Sequence, residues 1–333
     1  MKVGSKGVSP QDVMADLQFL DKYSRYSYEE GRRETWEETV KRVTDYLAEV
    51  AGPVMTDKLY ADVFEGIYNK EVTPSMRLMA TAGKGAKRNE LSIYNCSYLP
   101  LTQPADLHDL TMLLGHGVGV GFSVENNFVG MWPEAPASLQ GNYMFVVPDS
   151  IEGWSLSFKL LLENFLDGYN TNFDYSEVRP AGSPLLTRGG HASGPGPLIE
   201  AHNAIRSLLF TRLGATLRSI DLFDVACHIA NCIVSGGVRR SAMIAVFDRQ
   251  DELMLNAKSG AWWEANLQRQ LANISQVIDG HMELDQWLDY VKLMDSNKSG
   301  EPGIWSRYAI KNSLPERRQY VDYMGPNPKT LGL

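Results

Sequence analysis

Apolar residues recur at helical spacing through the first part of the chain. Residues 10–50 read as helical, with Trp36, Val40 and Val43 on one face and charged residues opposite. Residues 54–69 keep this character. Thr73-Pro74-Ser75 then breaks the pattern, and Gly83–Asn89 reads as a basic, glycine-bearing loop. Near residue 90 the texture changes to short apolar runs alternating with helical segments. Ile93–Leu101 predicts a strand and Asp106–Leu114 a helix. Glycines at alternate positions in Gly115–Val124 predict a tight turn running into a strand. Asp149–Leu166 predicts a helix with Trp154, Phe158, Leu161 and Phe165 on one side. Further helices are predicted at Ile220–Val234 and Leu284–Met294, a strand at Met243–Phe247, and a long loop at Gly182–Pro197. Strands separated by helices predict an α/β domain with a largely parallel sheet or barrel over residues 89–333, preceded by a helical domain over residues 1–88. The chain contains no internal repeat.

Composition narrows the classes. A chain of 333 residues that is 44% hydrophobic can bury a large core. A formal charge of −8 argues against a non-specific nucleic-acid coat, while leaving room for a small anionic ligand on a local arginine cluster. The first thirty residues are polar and no run approaches a membrane span, so a cytoplasmic protein without membrane contact is expected. Three cysteines, Cys96, Cys227 and Cys232, exclude a disulfide framework, and none forms a metal-type pair.

The segment Ser235-Gly236-Gly237-Val238-Arg239-Arg240-Ser241-Ala242 sets two guanidinium groups on a glycine hinge after an apolar helix. It reads either as a helix-to-strand turn with solvated arginines or as a mobile loop facing a nucleotide. Arg188-Gly189-Gly190-His191 presents backbone N–H groups with little side-chain cover, a weak signal for an anion cradle. Cys96 reads as a core thiol or as a redox thiol at the mouth of a pocket. Cys227 and Cys232 lie on different faces of one helix and read as core. His191 and His116 read as surface or supporting residues, since neither has a partner at ligand spacing, and no metal site is expected. Trp262-Trp263 reads as packing and Asp248–Glu252 as a solvated acidic turn.

Nine segments in order carry a family resemblance. They are Trp36–Val43, Thr73–Arg77, Asn95-Cys96, Gly117–Val124, Asp149–Trp154, Val178–Pro180, Gly189–Ile199, Ser235–Ala242 and Gly300–Ile304. The chain resembles the amino-terminal portion of class II, adenosylcobalamin-dependent ribonucleotide reductases, and most closely their monomeric ribonucleoside-triphosphate type. The resemblance implies the first half of a ten-stranded α/β barrel behind a helical domain, with room for an insertion within residues 125–235. It implies that Cys96 is the first of two reducing cysteines, which become a disulfide as the ribose is reduced. It places Thr73, Ser75 and Asn95 near the substrate. It makes Ser183, Arg188, Gly189 and Gly190, together with Ser235, Gly236, Gly237, Arg239, Arg240 and Ser241, the loops that sense a deoxynucleotide effector. The family's radical cysteine lies in an Asn-Pro-Cys-Gly-Glu signature, whereas Asn327-Pro328-Lys329 has lysine in the cysteine position. The radical cysteine, the second reducing cysteine, most adenosylcobalamin contacts and the cysteines that take electrons from thioredoxin are therefore expected on a separate C-terminal part. This chain alone is expected to be inactive. The competing expectation is a deoxynucleotide-binding regulatory fragment without catalysis.

Overall fold

The computed structural model describes residues 9–27, 29–184, 191–235, 242–298, 300–319, 321 and 325–326. The chain divides into two compact units, Met1–Asn95 and Cys96–Leu333.

The first unit is mainly helical. Helix α1 (Pro10–Lys22) is followed by a hairpin of β1 (Tyr26–Ser27) and β2 (Arg32–Arg33), then by α2 (Trp36–Ala51). The uninterrupted helical reading of residues 10–50 is thus corrected. Gly31 turns the chain at φ 66°, and Arg42 fixes the hairpin's exit by binding Glu34 as well as the carbonyls of Met79 and Ala82. Thr35 and Glu38 form a reciprocal capping box that starts α2. Helices α3 (Asp57–Tyr68), α4 (Met76–Thr81) and α5 (Lys84–Arg88) complete the unit around Val40, Val43, Tyr46, Ile67, Met79, Ala82 and Ala86. The expected loop at Gly83–Asn89 is in fact helical. Ala86 is fully buried in this cluster, and its burial outweighs the weak local signal.

In the second unit, the elements in chain order are β3 (Cys96–Pro100), α6 (Pro104–Gly115), β4 (Gly119–Ser123), α7 (Asn126–Val129), β5 (Gly141–Val146), α8 (Ile151–Leu166), β6 (Tyr169–Asp174) and α9 (Gly196–Phe210). Then come α10 (Ser219–Ser235), β7 (Met243–Asp248), α11 (Glu252–Leu255), α12 (Trp263–Asn266), β8 (Ala272–Ile278), α13 (Leu284–Asn297), β9 (Gly303–Ser306) and α14 (Arg307–Ser313). Five strands form one sheet in the order β3-β4-β7-β8-β9, and every pairing is parallel. This is the α/β half-barrel expected from the sequence. Between β4 and β7 the chain leaves the sheet to build a separate parallel pair, β5-β6, with α8 and α9.

Strand alternation gives the sheet two unlike faces. Leu99, Val120, Phe122, Met243, Ala245, Phe247, Ala272 and Ile274 point into the main core beneath the helices. The alternate residues, among them Cys96, Tyr98, Gly119, Gly121, Ser123, Ile244, Val246 and Ser275, share the opposite, inner face.

Candidate functional site: the inner face of the parallel sheet

Cys96 opens β3 and pairs in register with Gly119 of β4. One residue further along, the Val120 N–H donates to the carbonyl of Ala242 at 3.0 Å. Ala242 ends the segment singled out as a hinge loop, so Cys96 and the exit of that loop lie on one edge of the sheet with a single strand between them. Two strand spacings amount to about 10 Å, the scale of a nucleoside. Cys96 is a free, half-buried thiol, whereas Cys227 and Cys232 are buried at 0% and 1% exposure. The core reading of those two is correct, and burial pushes both thiols up. Under native conditions one of the three thiols should therefore react rapidly with a disulfide reagent, and all three after unfolding. A native count of two or three would contradict this arrangement.

The other candidates fall as follows. Thr73 is exposed, and Ser75 caps α4 by accepting the Leu78 N–H at 3.2 Å. Asn95 ends the first unit, directly before Cys96. Ser183 donates to the carbonyl of Pro180 at 2.8 Å. Across the loop the Gly182 N–H donates to the Ala192 carbonyl at 2.9 Å, and the Ala192 N–H donates to the Ser183 carbonyl at 2.8 Å. Arg188, Gly189, Gly190, Gly236, Gly237, Arg239, Arg240 and Ser241 lie outside the described residues, and Ser235 is described only as the backbone end of α10. His191 is exposed, while His116 is buried with Nδ1 2.7 Å from the carbonyl of Met112. Trp262 and Trp263 meet edge to face, with the Lys258 ammonium over the Trp262 ring. Asp248 is not the solvated residue expected. It accepts the Asn126 N–H at 2.5 Å, and burial raises its pKa.

At the carboxyl edge of the same sheet lies a network without local sequence signal. Arg307, 7% exposed, binds Glu125, 3% exposed, through two hydrogen bonds of 2.6 Å each. Ser123 donates to the same carboxylate at 2.7 Å, and Asp279 lies 3.4 Å from the guanidinium. This pair joins the end of β9 to the end of β4, closing a span of about 14 Å in a flat sheet, as a coiled half-barrel requires. Tyr98 sits beside it with its pKa pushed up to about 12, first by burial and then by the Glu125 carboxylate. A cleft of about 280 Å³ lined by Asp248, Gln250, Asp279 and His281 opens at this edge. Among the described residues, no group of three His, Cys, Asp or Glu side chains could hold a metal ion, and no helix is long and apolar enough to cross a membrane.

The inserted elements carry a second unheralded feature. His202, fully buried on α9, has Nε2 2.9 Å from the Ser157 hydroxyl and Nδ1 2.8 Å from the Tyr175 hydroxyl. Its ring stacks on Phe173 at 3.9 Å.

The architecture defines a class. It matches the crystal structure of a B12-dependent (class II) ribonucleotide reductase with a TM-score of 0.75 and 22% identity, over 87% of this chain and 48% of that one. Residues 129–209 match the model of the B12-dependent ribonucleotide reductase insertion domain, a span that takes in β5, α8, β6 and nearly all of α9. Sequence then narrows the kinship. The chain is 32% identical to the adenosylcobalamin-dependent ribonucleoside-triphosphate reductase of Euglena gracilis, over 95% of this chain and 46% of that protein. It is 27% identical to the enzyme of the same name from Levilactobacillus brevis, over 85% of this chain and 46% of that protein. The chain is thus a relative of the adenosylcobalamin-dependent ribonucleotide reductases, and it spans about half the length of the curated relatives it matches.

Proposed function

We propose that this chain supplies the substrate- and effector-binding half of an adenosylcobalamin-dependent ribonucleoside-triphosphate reductase. The observation that supports this reading is the shared sheet edge of Cys96 and Ala242, where a half-buried thiol lies near the exit of the Ser235–Ala242 segment. Residues 1–88 then form the helical domain and residues 89–333 the first half-barrel, with an insertion within residues 125–235. Thr73, Ser75 and Asn95 contact the substrate. The loops around Ser183–Gly190 and Ser235–Ser241 respond to a deoxynucleoside triphosphate.

In this reading the Cys96 thiol protonates the departing 2′-hydroxyl, which leaves as water. Cys96 and a second cysteine on the partner polypeptide give up two electrons and two protons and end as a disulfide. The ribose gains the electrons, and thioredoxin or a similar dithiol restores the pair. Gly119, with no side chain opposite Cys96, leaves the inner face open for a sugar. Adenosylcobalamin would supply the radical that starts the reaction. The cleft at the carboxyl edge does not fit it, since at about 280 Å³ it is far smaller than a corrinoid. The cofactor is therefore assigned to the C-terminal part, and only the thiol steps are derived from this chain.

The test is reconstitution. The chain is mixed with a polypeptide supplying the remaining half, adenosylcobalamin, a ribonucleoside triphosphate and dithiothreitol, and deoxynucleotide is measured. Failure to form any product with a folded, associated pair would sink the reading. In the same assay, Arg239→Ala with Arg240→Ala is expected to reduce effector-dependent substrate discrimination by about tenfold, the size of a typical coupling between sites. Discrimination equal to that of the parent would remove these arginines from the relay.

A further inference from the structure

Helix α13 has two apolar faces where one would suffice to hold it. Tyr290, Leu293 and Met294 are half-buried on the first. Tyr290 donates to the Pro302 carbonyl at 3.1 Å and Asn297 to the Glu301 carbonyl at 3.2 Å, which anchors the helix beside the entry to β9. The second face carries Leu284, Trp287, Leu288 and Val291, and these four side chains are 44% to 74% exposed. Their spacing of i, i+3, i+4 and i+7 is that of a helix packed along one side against another element. A single exposed leucine is ordinary, but four large apolar residues in one stripe mark a contact surface.

The charges beside the stripe select its occupant. Asp285 and Lys292, both exposed, are seven residues apart, so at about 100° per residue they stand about 20° apart on one flank of the helix. The Lys292 ammonium meets Asp289 at 3.0 Å in a fully surface pair, which costs little to exchange. When two identical helices pack antiparallel about a two-fold axis, like flanks meet and residue order reverses. Asp285 of each copy then stands opposite Lys292 of the other, with Trp287 and Leu288 next to the axis. A membrane surface is the poorer occupant, because it calls for a basic flank. The exposed charges of α13 are instead Asp285, Asp289 and Asp295 against Lys292 and Lys298.

We propose that α13 is a self-association face, on which two copies of this chain pair antiparallel about a two-fold axis with reciprocal Asp285–Lys292 contacts. Four partly exposed side chains cover less than the about 800 Å² per partner of a standard interface. The dimer is therefore weak and depends on concentration.

The test is sedimentation velocity of the full chain from about 5 to about 500 µM, the range in which so small an interface associates. The parent should pass from monomer toward dimer across it. Leu288→Glu sets a carboxylate into the stripe of both copies and should weaken association by about tenfold or more. Asp285→Lys sets like charges opposite each other twice and should weaken it roughly three- to tenfold. Adding Lys292→Asp to Asp285→Lys restores opposite charges and should return the dissociation constant to about the parental one. All three positions are exposed, so urea midpoints should stay at the parental value and separate lost association from lost folding. Contact through an open sheet edge would ignore both the stripe and the charge exchange. A parent that stays monomeric at the highest concentration overturns the proposal. So does association indifferent to Leu288→Glu, or a double variant no stronger than Asp285→Lys alone.

Discussion

Cys96→Ser is expected to abolish deoxynucleotide formation in the reconstituted reductase, by on the order of 10³-fold or more, while Cys227→Ala and Cys232→Ala keep most of it. The contrast follows from placement. Cys96 begins an outer strand of the sheet on its inner face, half-buried and opposite a glycine. Cys227 and Cys232 are enclosed in the main core on α10, and burial pushes their thiols up, which suppresses the reactive thiolate. Serine keeps the approximate size and shape of cysteine but cannot form a disulfide, so Cys96→Ser separates redox chemistry from packing. Each core substitution loses one buried sulfur atom, a cost of about 1 kcal/mol. That loss shows in unfolding midpoints and not in turnover at moderate temperature. Equal loss of activity in all three variants would refute the assignment, as would a Cys96→Ser protein with parental turnover.

Legibility of the fold divided along physical lines. Helices α2 and α8 were readable from their apolar stripes, whereas the start of α2 at the Thr35 cap was lost within the uninterrupted reading of residues 10–50. Strand β4 was readable because glycine alternates with apolar residues there, and that alternation marks the two faces of the sheet. Strands β8 and β9 left no such trace. In Ala272–Ile278, six of the seven residues are buried, from both faces, and a strand enclosed on both sides loses its period-two signature. Strands β5 and β6 carry Asn142, Asn170 and Asn172, a residue type depleted in strands, and pair only through the inserted elements. Both short stretches became helix or strand through tertiary contact, as α5 did around Ala86.

The candidate site was legible in the same uneven way. Cys96 and the hinge loop stand within compact motifs, so order along the chain was enough to single them out. The Glu125–Arg307 pair is separated by 182 residues and His202–Ser157 by 45. Each of these side chains looks ordinary in its own segment. Their chemistry exists only once β9 is brought back to β4, or α9 is laid on α8. Sequence reading therefore finds the groups that act on a ligand sooner than the groups that hold them in place.

Acidification should weaken the second unit through His202, and the sign follows from its surroundings. Burial, and after it the Arg206 charge, pushes the imidazole down to about 3. In the unfolded chain it returns to about 6.5. The unfolded state therefore binds the proton more readily throughout the window between these values. The stabilisation is fully present above pH 6.5 and is lost as pH falls toward 3, reaching about 2 kcal/mol of loss by pH 5 for this group alone. The geometry explains why the proton is refused. Both ring nitrogens already meet hydroxyls, Ser157 at 2.9 Å and Tyr175 at 2.8 Å, and Phe158 and Phe173 cover the ring where water would otherwise solvate a cation. His202→Gln keeps a polar group near the two hydroxyls but cannot titrate. It should be less stable than the parent at pH 8, by about 1–3 kcal/mol for imperfectly met buried partners. The gap between variant and parent should then narrow as pH falls from 7 to 5, because only the parent pays the proton penalty. Urea unfolding at several pH values measures that gap and cancels the carboxylates common to both proteins. A gap constant across this range would show that His202 takes up a proton equally well folded and unfolded, and the buried relay of Ser157, His202 and Tyr175 would lose its account.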